Sequence, residues 1–302
     1  MGMGKDLCER FESAKRVFQR ADEVLDTKLT ALMWEGPERL LRNTQNAQPA
    51  LLTASVAALT VLEERGLRPD LAAGHSLGEY SALVCAKVLE FETALKVVRE
   101  RGRLMEEAGR KTPGAMAAII GLPAEDVQNL CREVQSMGPC EAVNFNASDQ
   151  IVIAGTRPAV EKALVIAKEK GAKRAVPLNV SGAFHSSLMS EAARKMGEVL
   201  EEIPFRDARC PVVSNCDARM TSMGSLLKSN LVTQIDHPVL WEQSVKTLLE
   251  AGADPFIEVG PGRVLTALGK RIDRSAHSLC TEDDSTFDKI LTEVNSCGST
   301  EK

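Results

Sequence analysis

The stretch LAAGHSLGEYSALV at residues 71–84 joins a short apolar segment to a helix-forming run through a turn that contains two glycines. Its centre, Gly74 to Gly78, fits the pattern G-x-S-x-G, in which a serine lies at the tip of a tight turn between a strand and a helix. The N–H groups at the start of that helix point at the serine and can stabilise an oxyanion. The pattern predicts that Ser76 is a nucleophile, although the pentapeptide alone also fits a surface turn with incidental glycines.

Helical and strand-like segments alternate along the chain, which favours an α/β fold with a mainly parallel sheet. A helix is predicted from Pro49 to Arg65, because this segment opens at a proline and stops at Gly66. The stretches PVVSN (211–215) and PFIEVG (255–260) are predicted to be strands of the same sheet as residues 71–73. The tail after about Asp283 is predicted to be poorly anchored.

The segment from about Lys111 to Val180 has a different order of predicted elements: strand, helix, two strands, helix and strand. This βαββαβ order is typical of the ferredoxin-like fold. We therefore predict a ferredoxin-like small domain at residues 111–180. It would be inserted into a large domain formed by residues 1–110 and 181–302.

The composition excludes several classes of protein. The 302 residues carry a net charge of −5, which gives no reason to expect nucleic-acid binding. No apolar run approaches the roughly 20 residues of a membrane span, and the amino terminus lacks a secretory signal. The eight cysteines form no CxxC pair and match no zinc pattern, so we expect no metal site. A reduced chain in the cytoplasm, or in a mitochondrion or plastid after removal of a transit peptide, is expected.

A serine nucleophile needs a base, and the chain has four histidines. His75 adjoins Ser76 and is expected to have a supporting role, while His277 lies in a polar stretch and is expected at the surface. The residues leave His237 open between a structural and a functional role. His185 lies where the chain returns from the predicted small domain, and this position favours it modestly as the base.

An arginine lies on the apolar face of the helix predicted from Glu92 to Gly109. Arg101 falls between Val98 and Met105 on a stripe of core-facing residues. A buried guanidinium is costly unless an anion or several acceptors meet it. On the residues alone, pairing with a structural carboxylate, extension to solvent, and a bidentate site for a substrate carboxylate all remain open.

Nine segments together carry a resemblance to a known family, the malonyl-CoA:acyl-carrier-protein transacylases of fatty-acid synthesis. This family is related to the acyltransferase domains of polyketide synthases. The matching segments run from Gly2 to about Arg271: GMGKDL (2–7), QPALLTAS (48–55), GHSLGEYSALV (74–84), RGRLM (101–105), PGAMAAIIGL (113–122), VNFNASDQIVIAG (143–155), SGAFHSSLM (181–189), HPVLWEQSV (237–245) and EVGPGRVLTALGKRI (258–272). The resemblance implies a hydrolase-like large domain and an acyltransferase activity.

The resemblance also implies a mechanism. Ser76, deprotonated by His185, would attack the thioester of malonyl-CoA, and the malonyl-serine would then transfer its acyl group to the phosphopantetheine thiol of acyl carrier protein. The N–H of Leu77 would bind the oxyanion, and Arg101 would bind the malonyl carboxylate. The main-chain carbonyl of Gln234 would orient His185 in place of an acidic side chain.

Three further residues match family positions near the substrate. Asn144 and Asn146 match asparagines that line the cleft between the domains, although hydrogen bonding along an edge strand explains the pair equally well. Phe184 matches the malonyl-type motif, since a bulky ring leaves less room for an α-methyl branch.

The resemblance implies no cofactor beyond the substrate and its carrier, and a monomer is expected. Carrier proteins are acidic, so a basic docking surface is expected on this acidic chain. The candidates, for each of which ordinary solvated charge is the alternative, are Lys173, Arg174, Arg194 and Lys195.

Two other classes fit parts of the sequence. A serine esterase of α/β type shares the G-x-S-x-G turn but has no need of Arg101, and faster turnover of neutral esters than of malonyl-CoA would favour it. A catalytically weak homologue that binds the carrier would bind acyl carrier protein without forming acyl-Ser76.

The family begins with an apolar strand and a glycine-rich GQGSQ loop that this sequence lacks before GMGKDL. That loop supplies a second oxyanion N–H, and losing one such donor typically costs about 2.7–4 kcal/mol of transition-state stabilisation. We therefore expect weakened or absent activity from the chain as it stands. Adding the upstream segment should raise the transfer rate, and equal rates would refute this expectation.

Overall fold

The computed structural model describes residues 1–282 and 284–297 and has the predicted α/β architecture. The first part of the chain wraps long helices around a short strand. Its elements are α1 (Lys5–Arg10), α2 (Glu12–Leu25), α3 (Leu29–Glu35), α4 (Glu38–Leu41), α5 (Thr44–Glu64), β1 (Ala72–Ala73), α6 (Gly78–Cys85) and α7 (Phe91–Lys111).

Helix α5 begins before the proline that was predicted to open it. The carbonyl of Asn43 accepts hydrogen bonds from the N–H groups of Asn46 and Ala47, both at 2.8 Å, so a first turn forms ahead of Pro49. Pro49 then lies inside the helix, where its missing N–H leaves only one carbonyl without its usual donor.

The middle of the chain forms a four-stranded antiparallel sheet with two helices. The elements are β2 (Gly114–Ile120), α8 (Ala124–Glu133), β3 (Cys140–Ala147), β4 (Gln150–Thr156), α9 (Arg157–Glu169) and β5 (Arg174–Pro177). The strand order is β3-β4-β2-β5. The inward faces of these strands and helices bury their own apolar cluster, which includes Ile119, Leu130 and Ile153.

The last part of the chain pairs with the first part through a strand that lies beside β1. Its elements are α10 (Ser190–Glu201), β6 (Val212–Val213), β7 (Met220–Thr221), α11 (Gly224–Thr233), α12 (Trp241–Glu250), β8 (Phe256–Glu258), α13 (Val264–Ile272), β9 (Ser278–Cys280) and α14 (Asp284–Cys297). Strand β6 lies parallel to β1 and antiparallel to β7, while β8 and β9 form a separate parallel pair.

This arrangement differs from the single mainly parallel sheet that the sequence predicted. PVVSN and PFIEVG contribute to two different sheets of the described chain. The β1–β6 ladder has only two residue pairs. It ends there because β1 runs directly into the turn at Gly74, and β6 runs into Asn215, whose polar groups bind that turn.

The prediction of a poorly anchored tail is wrong for the described part of that tail. Helix α14 buries Phe287 and Ile290, three residues apart on one face. The ring of Phe287 packs 5.6 Å from that of Phe11, between centroids. Residue 283 and residues 298–302 lie outside the described part. No helix within the described residues combines the length and apolar character that a bilayer crossing requires.

Helices α5 and α7 approach closely at a glycine, and this contact generates a prediction. A Cβ atom at Gly102 would lie 2.6 Å from the carbonyl oxygen of Thr44 and 2.7 Å from the Cα of Gln45. Because both neighbours are backbone atoms, we expect Gly102→Ala to lower the free energy of unfolding by about 1–3 kcal/mol.

Gly197 on α10 is the matched control, since the nearest atom to its Cβ position is a Val232 methyl at 3.7 Å. Gly197→Ala should be neutral or stabilising, by up to about 1 kcal/mol, because alanine favours helix. Denaturant unfolding of the two variants measures both effects, and equal stabilities would contradict the close-contact explanation.

Candidate active site

Ser76 lies at the tip of the turn that joins β1 to α6. Its φ is +50°, a left-handed conformation that costs energy for a residue with a Cβ. The turn is closed by hydrogen bonds from Gly78 N to His75 O at 2.8 Å and from Glu79 N to Ser76 O at 3.2 Å. A Cβ at Gly74 would overlap the carbonyl of Gly78, so this position requires glycine. The turn therefore exposes the serine hydroxyl, as G-x-S-x-G predicts.

The structure pairs Ser76 with His185. The Ser76 Oγ lies 2.7 Å from His185 Nε2, and His185 Nδ1 lies 2.7 Å from the main-chain oxygen of Gln234. A carbonyl oxygen can only accept, so Nδ1 carries the proton and Nε2 is left to accept the serine proton. His185 itself has a φ of +63° and is 3% exposed. Serine, histidine and carbonyl thus form a chain in which an acid is replaced by a main-chain oxygen.

Burial keeps His185 neutral. Desolvation, with a smaller effect from the nearby charge of Arg101, lowers the pKa of the imidazole to about 3. The imidazole is therefore neutral throughout the neutral pH range. Its Nε2 atom carries no proton and is free to accept the proton of Ser76.

Arg101 is buried, 1% exposed, beside the serine. Its Nη1 donates to Gln48 Oε1 at 2.7 Å, and its Nη2 donates to Gln234 Oε1 at 2.9 Å and to Ser76 Oγ at 3.1 Å. Neither a direct carboxylate partner nor extension to solvent accounts for it, because its acceptors are neutral and its side chain is enclosed. One end of the guanidinium thus reaches the atom that would carry an acyl group.

The other predicted residues lie around this centre. Leu77 is the residue before α6, and no acceptor is recorded for its N–H among the described residues. The Oδ1 atom of Asn146 accepts a hydrogen bond from His75 Nε2 at 2.8 Å, while Asn144 forms a bridge with Val239. Asn146 therefore reaches the nucleophile turn, whereas the described contact of Asn144 is main-chain pairing at the edge of the sheet.

Phe184 and the three other histidines differ in burial and in the groups that they contact. Phe184 is half-buried and packs against two apolar clusters, one from the large helical core and one around Val143. The ring of His75 meets Trp241 edge-on at 5.5 Å. His237 and His277 are exposed and lie beside acidic groups, Asp236 at 2.8 Å and Asp254 at 3.6 Å.

The four basic residues predicted to form a docking surface differ in their ion-pair contacts. Lys195 pairs with Glu107 and Glu191, each at 3.2 Å, and Arg194 pairs with Glu198. Arg174 is the first residue of the edge strand β5 and Lys173 directly precedes it, and both are exposed. Two of the four cations are thus already engaged with acidic side chains on the helical surface.

Sequence reasoning missed a set of buried polar side chains behind the serine. They are Gln48, Glu79, Asn215 and the carboxamide of Gln234. Asn215 Oδ1 accepts from Ser76 N at 2.6 Å, and Asn215 Nδ2 donates to Gly74 O at 2.7 Å. The only signal in the sequence was a polar residue within an otherwise apolar run, as with Glu79 ahead of YSALV. Among the described residues no group of three side chains is arranged to hold a metal.

Comparison with known proteins places this geometry in a family. The profile of the acyl transferase domain matches residues 1–285. The chain belongs to this acyl transferase family. Its relatives in the family include a malonyl CoA-acyl carrier protein transacylase of Bacillus subtilis, 47% identical over 96% of this chain and 92% of that protein. The Escherichia coli K12 protein of the same name is 44% identical over 90% of this chain and 88% of that protein.

Solved structures of acyl transferases agree with the fold. A malonyl-transacylase in complex with its type II PKS acyl-carrier protein aligns with a TM-score of 0.94 at 44% identity, covering 97% of this chain and 95% of that one. An acyl carrier protein S-malonyltransferase from Vibrio cholerae aligns with a TM-score of 0.93 at 43% identity, over 96% and 95% of the two chains.

The low pKa of His185 can be measured directly. We expect its imidazole to stay neutral and protonated on Nδ1 from pH 5 to pH 8, because burial lowers its pKa to about 3. A pKa lowered on folding stabilises the fold above the unfolded value near 6.5, and this contribution is lost as the pH falls toward 3. Imidazole ¹⁵N shifts measured across this range, with His185→Gln to assign the signal, report the charge state. A midpoint between pH 6 and 7 would contradict the burial argument.

Proposed function

We propose that this acyl transferase moves a malonyl group from malonyl-CoA to the phosphopantetheine thiol of acyl carrier protein, as an extender unit for fatty-acid synthesis. The observation that carries the proposal is the buried guanidinium of Arg101 at 3.1 Å from the Ser76 hydroxyl. A fixed positive charge beside the nucleophile selects an acyl group that ends in a carboxylate. The relatives named above, and the carrier protein in one solved complex, support the same donor and acceptor.

The proposed reaction has two half-reactions through one covalent intermediate. His185 Nε2 accepts the proton of Ser76 as Oγ attacks the thioester carbon, and Gln234 O stabilises the imidazolium through Nδ1–H. The N–H of Leu77 donates to the developing oxyanion. Collapse breaks the C–S bond, and His185 returns the proton to the thiolate of CoA. In the second half-reaction, the carrier thiol gives its proton to His185 Nε2 and attacks the carbonyl carbon of malonyl-Ser76. The bond from that carbon to Ser76 Oγ then breaks, and His185 returns the proton to Oγ.

Substrate choice depends on Arg101 and its surroundings. The Nη2 atom that bonds Ser76 Oγ in the free protein would turn its donor to the malonyl carboxylate once the serine is acylated. Phe184 would limit space beside the carbon between the two carbonyl groups. Asn144 and Asn146 would line the entrance, with Asn146 acting through His75 on the nucleophile turn.

We also propose the finer organisation that the sequence suggested. Residues 111–180 would form a ferredoxin-like small domain inserted into a hydrolase-like domain of residues 1–110 and 181–302, which the separate apolar cluster of the middle segment supports. The protein would act as a monomer. It would need no cofactor, because the side chains named above account for each proton and charge. A cytoplasmic location, or a mitochondrial or plastid one after removal of a transit peptide, is proposed, and free cysteines such as Cys131, Cys140 and Cys210 fit a reducing compartment.

Covalent loading is the direct test of the function. Intact-mass measurement after mixing with malonyl-CoA should show one malonyl adduct on the wild type and none on Ser76→Ala. Ser81→Ala, on helix α6 beyond the turn that carries Ser76, should load normally. An adduct that persists on Ser76→Ala would refute Ser76 as the nucleophile, and faster hydrolysis of neutral esters than malonyl transfer would favour the esterase alternative.

The role of Arg101 predicts a change in selectivity. A hydrogen bond to a charged group contributes about 1.5–3 kcal/mol, so Arg101→Ala should lower the malonyl-over-acetyl preference by roughly ten- to a hundredfold. Competition between malonyl-CoA and acetyl-CoA for Ser76, followed by mass, measures this ratio. Arg103→Ala is the matched control, because Arg103 lies on the same helix but pairs at the surface with Glu100. An unchanged ratio in Arg101→Ala would refute the carboxylate site.

A further inference from the structure

Glu79 is a buried acidic residue that the proposed mechanism does not use. Its side chain is completely enclosed, 0% exposed, on the first turn of α6 directly behind Ser76. A buried carboxylate is costly unless it is paired, yet no basic side chain touches this one among the described contacts. A role that offsets this cost is therefore expected.

The hydrogen bonds of Glu79 fit both of its protonation states. Its Oε2 accepts from Gln234 Nε2 at 2.7 Å and from Asn215 N at 3.0 Å, and these two atoms can only donate. Its Oε1 has no partner at standard hydrogen-bond geometry among the described residues, although the buried Ser214 hydroxyl lies close enough to the carboxyl group to lower its pKa. A proton on Oε1 would leave both existing bonds intact. The carboxyl group can therefore gain or lose a proton without rearranging the site.

The carboxamide of Gln234 links this acid to Arg101. Its Oε1 accepts from Arg101 Nη2 at 2.9 Å, while its Nε2 donates to Glu79 and to Ser76 O at 2.9 Å. The amide dipole thus has its oxygen toward the cation and its N–H toward the acid. This orientation stabilises a positive Arg101 and a negative Glu79 together.

We propose that Glu79 is the resting counter-charge of Arg101 and that it binds one proton from solvent when a carboxylated acyl group docks at the guanidinium. This inference rests on the proposed function. With two carboxylates near one cation, the carboxylate in direct contact is the better stabilised, and the acid held through an amide is the one that becomes neutral.

The charged and titratable groups that face Glu79 agree with such an exchange. They are Arg101 from α7, Cys216 from the segment after β6, and Tyr80 on the same helix. Burial raises the pKa of the Glu79 carboxyl to about 7, and this rise is opposed by hydrogen bonds from Asn215, Gln234 and Ser214 and, to the smallest extent, by the positive charge of Arg101. A substrate carboxylate bound at Arg101 cancels part of the lowering effect of its charge. The pKa of Glu79 therefore rises further on loading.

Acyl loading itself leaves the proton count unchanged. The Ser76 Oγ–C bond forms, the thioester C–S bond breaks, and the serine proton leaves on the CoA thiol. Any proton taken from a neutral solution must therefore be bound by the protein.

Proton uptake during loading is the test. At pH 7.5, in weak buffer with an indicator dye, formation of malonyl-enzyme should remove a fraction of a proton per adduct, at most about three quarters, because a carboxyl with a pKa of about 7 is already about one quarter protonated at this pH. Acetyl-CoA, whose acyl group carries no charge, should remove none for the same amount of adduct. Glu79→Gln keeps an acceptor oxygen for both donors and should abolish the uptake. A malonyl adduct formed without uptake, or uptake unchanged in Glu79→Gln, would overturn the proposal.

A second measurement does not depend on the proposed function. An infrared pH titration of the free protein, wild type minus Glu79→Gln, should show a protonated-carboxyl band that fades as the pH rises through about 7. In Arg101→Ala the midpoint should move to higher pH. A missing band change, or an unmoved midpoint, would refute the counter-charge role even if no malonyl adduct ever forms. The absence of an adduct by itself would refute only the proposed function.

Discussion

The buried carboxamide of Gln234 connects groups that desolvation alone would make unstable. Its side-chain oxygen meets the guanidinium of Arg101, its side-chain nitrogen meets Glu79 and the main chain of Ser76, and its main-chain oxygen meets His185. Each of these groups is costly to bury without a partner. One residue at the end of α11 thus satisfies the base, the cation and the acid together, and their mutual positions depend on it.

This arrangement explains how a cation can lie next to the proposed general base, His185. Burial, and to a smaller extent the charge of Arg101, lowers the pKa of His185, which keeps the ring neutral and ready to accept a proton. The same charge would make the imidazolium unfavourable during the reaction. The carbonyl of Gln234 at Nδ1 offsets this effect, and an arriving carboxylate would neutralise the guanidinium at the stage when the imidazolium forms. A carboxylated acyl group would therefore assist the base as well as bind to the site.

The nucleophile turn is held from three directions. Asn215 bonds the amide of Ser76 and the carbonyl of Gly74, Gln234 bonds the carbonyl of Ser76, and Asn146 reaches His75 from the antiparallel sheet. The left-handed φ of Ser76 is strained. It persists because the amide and carbonyl of Ser76 and the carbonyl of Gly74 each have a partner from a distant part of the chain. The middle segment therefore contributes to the turn itself.

The sequence by itself determined the features that depend on neighbouring residues. Glycines at 74 and 78 with a serine between them specify a turn through local sterics, and the spacing of Arg101 among apolar residues places it on a buried helix face. The packing partners depended on long-range contacts. Asn215 meets Ser76 across 139 residues and Gln234 meets it across 158. No local pattern encodes such contacts, because polar residues in loops are usually solvated. The roles of Glu79 and Gln48 were not predicted, because their partners are distant in sequence. The separation of PVVSN and PFIEVG into two sheets was not predicted, because strand pairing is also a long-range contact. Local sterics determined the turn at Ser76 and the helix face of Arg101. Only the tertiary structure decided which buried polar groups bond to these two side chains, because those partners come from distant parts of the chain.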